Sequence, residues 1–224
     1  MHPRNRRNPR MNPKNELIYR AYTSDFTLEG NKLSGLAAVY ENRTKIGNLF
    51  HEVIERGAFD ESDLTDVLFF VNHDMSKIPL ARSRRNNGNS TMTLKVDEQG
   101  LHVEPQLDVE NNADARALYS AVKRGDITGM SFLFTIKEDA WEDLDKSIPT
   151  RRIKKVARVR EVSAVNFPAY DATEIHVRDG RSLESDAQAL ENARSALDKA
   201  KTSSEVWKLK NRILQMKVRG TKEE

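Results

Sequence analysis

Gly129-Met130-Ser131-Phe132-Leu133-Phe134, continued by Thr135 and Ile136, reads as a β-strand. Successive side chains of a strand point to opposite faces, so Met130, Phe132, Phe134 and Ile136 share one face and Ser131, Leu133 and Thr135 the other. Ser131 therefore points away from the largest apolar side chains, where packing alone explains a hydroxyl poorly. His73, in the segment Val71-Asn72-His73-Asp74, lies 58 positions upstream. A hydroxyl fixed on a strand, with an imidazole in the same domain, is the minimum equipment for nucleophilic hydrolysis, because serine needs a base to lose its proton.

Working outward, residues 16–180 give mostly short strand signals separated by turn residues, which predicts a mainly β domain with surrounding helices (α+β). Leu33 to Tyr40 is a candidate strand in which Gly35 marks a bulge or a close approach. Val67 to Val71 is a continuous apolar run that suits a strand covered on both faces. Asn86-Asn87-Gly88 is a turn signal, and Thr91 to Val96 with Leu101 to Glu104 predicts a hairpin through Asp97-Glu98-Gln99-Gly100. Asn112 to Lys123 has helical spacing, and Gly125 closes it. Glu138 to Asp145 reads as a loop or poor helix, and Lys146 to Lys155 as a basic connection. Arg158 to Val165 alternates and sets Val159, Glu161, Ser163 and Val165 on one face. A carboxylate among apolar neighbours needs a partner.

From Leu183 the period changes to helical, and Ser204 is a candidate N-cap for a second helix. The organisation expected is thus a basic disordered arm over 1–15, a β domain over 16–180 and a helical extension over 181–224. The extension's apolar stripe is narrow and Ala-rich, which calls for a partner helix.

Composition limits the chemistry. The chain of 224 residues has no cysteine, which excludes disulfides, thiolate metal sites and a cysteine nucleophile. No run reaches the roughly 18 apolar residues of a membrane span, and the first fourteen residues lack the apolar core of a secretory signal. The net charge of +3 is uneven: residues 1–14 carry +5, residues 181–224 carry +3, and the β domain between them carries −5. A basic arm with three prolines can touch nucleic acid, but its composition is first that of a solvated leader, so nucleic acid is not the expected partner. No metal-binding spacing and no Gly-rich loop before a helix is present, and no cofactor is expected.

Taken singly, each candidate has an ordinary explanation. Ser131 is one strand serine among many, and Glu161 can pair with Arg158 or Arg160. His2 lies in the arm, and His51, His102 and His176 sit where surface or strand roles suffice. Arg82 is a conceivable electrostatic helper, with a surface ion pair as the expected role.

Six blocks in order carry more weight: Gly35 to Tyr40, Glu52 to Phe59, Asn72-His73-Asp74 with Pro79 to Arg82, Asp97 to Leu101, Gly129 to Phe132, and Glu161 to Tyr170. Together they cover about residues 17–178 and resemble the tailed-phage prohead proteases. The resemblance implies a capsid-maturation serine protease related in fold to the herpesvirus assemblins, with an antiparallel Greek-key β-barrel. It implies His73 as base, Ser131 as nucleophile and Glu161 as the orienting residue, with His51, His102 or His176 as competitors in the third role. Leu133 departs from the family pattern, which often has glycine there. Implied substrates are the scaffolding protein or the scaffold-like arm of the major capsid protein, and the chain itself. The implied place of action is the host cytoplasm inside the assembling procapsid, with a homodimer as the active form. Two other readings stand beside this one: a non-enzymatic capsid or scaffold component with a protease-like fold, and a nucleic-acid-associated protein using the basic arm.

Overall fold

The alternation around Ser131 runs much further than the hexapeptide. In the computed structural model, which describes residues 17–84, 89–166 and 180–220, the strand spans Gly129–Glu142 and pairs antiparallel with Thr150–Val165. In chain order the elements are β1 (Ile18–Thr23), β2 (Thr27–Glu29), β3 (Lys32–Val39), β4 (Thr44–Ile46), β5 (Phe50–Ile54), β6 (Asp66–Val71), β7 (Ala81–Arg84), β8 (Met92–Val96), β9 (Gly100–Pro105), α1 (Ala113–Arg124), β10 (Gly129–Glu142), β11 (Thr150–Val165) and α2 (Gly180–Gly220). The basic arm, the Asn86-Asn87-Gly88 turn and the end of the sixth sequence block lie outside the described residues.

A seven-stranded sheet has the order β1-β10-β11-β5-β4, with β6 also on β11 and β7 on β6. The length of β11 allows this branching: Thr150 to Ile153 pair parallel with β5, and Glu161 to Ala164 pair parallel with β6. A second, four-stranded sheet has the order β2-β3-β9-β8. Mainly β architecture with helices is therefore what the chain adopts, but the expected antiparallel barrel is corrected in two respects. The large sheet is mixed, and no barrel closes among the described residues.

One face of β10 and β11 forms the core. Met130, Phe132, Phe134, Val156, Val159, Val162 and Ala164 are buried there with Leu33, Leu101 and Val103 of the smaller sheet. Phe132 stacks on Phe134 and meets the edge of Phe59. Truncating such a phenylalanine to alanine costs about 3–5 kcal/mol, because both burial and packing are lost. Gly35 permits a close approach, since a Cβ there would stand 2.6 Å from Ser24 Oγ and 2.9 Å from the Phe26 ring. The predicted helix forms as α1, with Asn112 accepting from the amides of Asp114 and Ala115 and Gly125 ending it at φ 78°.

Three local expectations are overturned. Residues 138–142 and 150–155, read as loop and basic connection, are strand, because acids on β10 meet bases on β11: Arg151 Nε lies 2.7 Å from Asp139 and Arg152 Nε 2.7 Å from Glu142. Val159 does not share Glu161's face. Leu133 pairs with Glu161 but Phe134 with Val159, so Arg160 is an extra residue and the alternation changes phase across it. Finally, Ser204 starts no second helix. Thr202 donates to the Asp198 carbonyl at 3.0 Å, one turn back, and α2 continues through the polar run.

The start of α2 is docked on the large sheet. Arg20 of β1, buried, donates to both carboxylate oxygens of Glu52 at 2.5 and 2.8 Å and to Asp186 of α2 at 2.9 Å. Burial opposes this charge, but Asp186 and Glu52 outweigh it and hold the guanidinium pKa above its ordinary value. One turn on, Leu190 is buried with Ile46 and Phe50.

Candidate active site

Ser131 lies mid-sheet, with Ala21 of β1 on one side and Ser163 of β11 on the other. These small neighbours leave room above the hydroxyl. Two residues along, Leu133 is flanked by Tyr19 and Glu161, so the face opposite the core carries the polar groups that the alternation predicts.

The chain leaves β6 through two residues in the left-handed region, Asn72 at φ 52° and His73 at φ 57°. Asparagine tolerates this conformation, whereas histidine there costs of order 1 kcal/mol and needs support. Hydrogen bonds supply it. Asn72 N–H donates to the Ala164 carbonyl at 2.9 Å, its Oδ1 accepts from Asn166 N–H at 3.1 Å, and His73 N–H donates to Ser163 Oγ at 3.0 Å. The turn folds the imidazole back over the sheet, where the Tyr19 ring meets it edge-on at 4.6 Å between centroids.

His73 Nε2 lies 2.6 Å from Ser131 Oγ, and His73 Nδ1 lies 2.6 Å from Glu161 Oε2. A carboxylate only accepts, so a neutral imidazole between these partners carries its proton on Nδ1 and turns the Nε2 lone pair to the serine hydroxyl. The other Glu161 oxygen accepts from Ser163 Oγ. Glu161 is buried, its side chain 1% exposed against 22% for His73. The arrangement can therefore pass a proton between a hydroxyl and an imidazole, with the imidazole's second nitrogen anchored on a shielded carboxylate.

The three residues singled out in the sequence thus lie together. Of the competing histidines, His51, on β5 beside Arg43, and His102, on β9 beside Asp97, do not join them, and His176 lies outside the described residues. Burial first, then Arg43 and Lys45, push the His51 pKa down. Arg82 chelates Asp66 through bonds of 2.7 and 2.6 Å and so plays the surface role expected of it. Sequence reasoning missed Ser163, Asn72 and Tyr19 as neighbours of the site. Ser163 was discoverable, since it stands two residues from Glu161 on the same strand face.

Two clefts border the elements that carry these groups, one touching Asn72 and the other Glu161. One, of about 360 Å³, follows the β6 end and α1 and is lined by Phe70, Ile78, Leu118 and Ile127 with Asp74 and Asp114. The other, of about 400 Å³, lies on the Leu133 side over Leu17, Tyr19, Leu68 and Met75. Leu17, Met75 and Ile78 are exposed although large and apolar, and all three line these clefts. Apolar surface left open in such clefts suits an extended peptide. Among the described residues no group of three or more His, Cys, Asp or Glu is arranged to hold a metal ion, and no helix is long and apolar enough to cross a membrane.

Neither a curated protein nor a solved structure matches the chain. A family model described as Caudovirus prohead serine protease matches residues 18–188, from the first residue of β1 into the docked start of α2. That span holds the hydroxyl, the imidazole and the carboxylate, and over it the chain belongs to the caudovirus prohead serine proteases, the peptidases of capsid maturation.

Proposed function

We propose that Ser131 is the nucleophile of this endopeptidase, His73 its general base and acid, and Glu161 the residue that orients the imidazole. The observation that carries this reading is the pair of 2.6 Å contacts that places His73 between a hydroxyl and a buried carboxylate. Ser131 Oγ attacks the scissile carbonyl carbon while its proton passes to His73 Nε2. The same proton is then given to the leaving amine as the C–N bond breaks, which leaves an acyl ester on Ser131. Water, deprotonated by His73, attacks that ester, His73 returns the proton to Ser131 Oγ as the acyl C–O bond breaks, and the acid product departs and ionises. Glu161 fixes the imidazole tautomer and stabilises the imidazolium in both halves.

The substrates proposed are the scaffolding protein or the scaffold-like arm of the major capsid protein, and the chain itself, inside the assembling procapsid in the host cytoplasm. The part of α2 beyond its docked turns then retains the protease in the shell by pairing with scaffold helices. By the same family resemblance the active form is a homodimer, which sedimentation of the Ser131→Ala protein checks.

The direct test coexpresses wild type or Ser131→Ala with the capsid and scaffolding proteins and follows intact masses. Wild type should shorten a partner and itself, and a fluorophosphonate probe should label it. Ser131→Ala should do neither, with cleavage lowered at least about 10⁴-fold. Identical, full-length masses in both mixtures would sink the assignment.

A further inference from the structure

The cleft on the Leu133 side has an apolar floor and a basic rim, formed by Arg158 and Arg160. Its acids are already engaged. Asp66 is held by both nitrogens of Arg82, and Glu161 is turned toward His73 and Ser163. Arg158 stands 3.4 Å from Asp63, yet its buried Nε makes no hydrogen bond. Arg160 is exposed and joins no ion pair among the described residues. Arg160 is therefore the exposed guanidinium of this cleft that no ion pair holds, and Arg158, paired with Asp63, stands beside it.

The position of Arg160 has a structural cause. It is the bulged residue of β11, the one without a partner on β10 between the Leu133–Glu161 and Phe134–Val159 pairs. A bulge re-aims a side chain out of the ladder and is a recurrent device beside active sites. Here it delivers a guanidinium next to the carboxylate that anchors His73, on the strand pair that carries Ser131.

We propose that this cleft is a specificity subsite for an acidic side chain, Asp or Glu, held by Arg160 beside Arg158, with apolar substrate neighbours resting on Leu17, Tyr19 and Leu68. The inference rests on the protease reading above and goes beyond it by naming the substrate chemistry. A guanidinium fork matches a carboxylate with two parallel hydrogen bonds, so the subsite distinguishes Glu from Gln by charge and from Lys by repulsion. The flanking apolar cleft beside α1, whose rim holds Asp74 and Asp114, does not share this preference.

The test digests a proteome-derived peptide library with full-length wild type, Arg160→Gln and Arg160→Glu and sequences the new termini by mass spectrometry. Wild type should enrich Asp and Glu over Asn and Gln about fivefold to tenfold at one fixed position near the cut, and the enrichment should shrink as salt rises. Arg160→Gln should bring that ratio close to one. Arg160→Glu should move the preference to Lys and Arg. Cleavage by wild type without an acidic preference overturns this inference and leaves the protease reading standing, as does an acidic preference retained in both variants. A wild type that cleaves nothing and takes up no fluorophosphonate overturns the protease reading, and the subsite with it.

Discussion

At the residue scale, Ser163 does more than the alternation of β11 suggests. Its hydroxyl accepts from the His73 amide and donates to Glu161, so one small buried side chain fixes both the strained backbone of His73 and the direction of the Glu161 carboxylate. Ser163→Ala leaves a half-buried N–H and a buried carboxylate oxygen without that partner, which costs about 1–3 kcal/mol. Peptide-cleavage kinetics should show kcat lowered about tenfold to a hundredfold with KM nearly unchanged, since the loss falls on the base and not on the clefts. A change confined to KM or to melting would assign Ser163 a merely structural part. Asn72 allows a second test of the same turn. Asn72→Gly keeps the left-handed backbone and loses only the bond to Asn166, whereas Asn72→Ala also strains the turn by about 1 kcal/mol, so the alanine variant should melt lower and cleave more slowly. Ser131 was legible because a hydroxyl stands out against apolar neighbours, and His73 because it follows the end of an apolar strand. Tyr19 and Asn72 were not, because what matters in them is a ring placed by a neighbouring strand and a backbone angle, and neither leaves a pattern in sequence.

At the scale of elements, the β10–β11 hairpin positions Ser131, Leu133, Glu161 and Ser163 together. Its core half was readable from period-two alternation. Its outer half was not, because charged residues fill both strands, and register shifts between Leu133 and Asp139 break the alternation that would have revealed them. The ionic partners that make this half a sheet are brought together only by the hairpin itself. The same holds for the buried network of Arg20, Glu52 and Asp186, whose members come from three elements and lie up to 166 positions apart. Removing Arg20 from such a group leaves Glu52 buried without its ionic partner and Asp186 with Arg151 alone, at 3.7 Å. Arg20→Met should therefore lower unfolding stability by about 3–5 kcal/mol in a denaturant titration. Asp186→Asn, which keeps the shape and leaves the Arg20–Glu52 pair intact, should cost about 1 kcal/mol. Equal losses from the two substitutions would contradict a network centred on the arginine.

At the scale of the whole molecule, strand content was legible and strand partnership was not. β11 pairs with β5 and with β6 through different halves of its length, and nothing local to the three segments records that choice. The change of period at the C-terminus was legible, but its consequence is divided along the helix. A helix of 41 residues is about 60 Å long at 1.5 Å per residue, and among its described side chains those of the first turns rest on the sheet. Asp186 and Leu190 are buried and Arg194 donates to the Lys146 carbonyl at 3.0 Å, whereas every residue from Asp198 to Lys210 is exposed, with Val206, Trp207 and Leu209 among them. A lone helical stretch of that length is marginal in water, and exposed large apolar residues on it favour a partner helix. Two truncations separate the parts. Ending the chain after Lys201 removes most of this exposed stretch and spares the docked turns, so peptide cleavage and melting should stay near wild type while the amount of protease recovered in purified procapsids falls. Ending it after Gly180 also strips Asp186 and Leu190 from the sheet, so stability should fall together with cleavage. Normal incorporation of the chain ending at Lys201 would refute a retention role for the projecting helix, and full stability of the chain ending at Gly180 would show that the docked turns do not hold β1 in place beside Ser131.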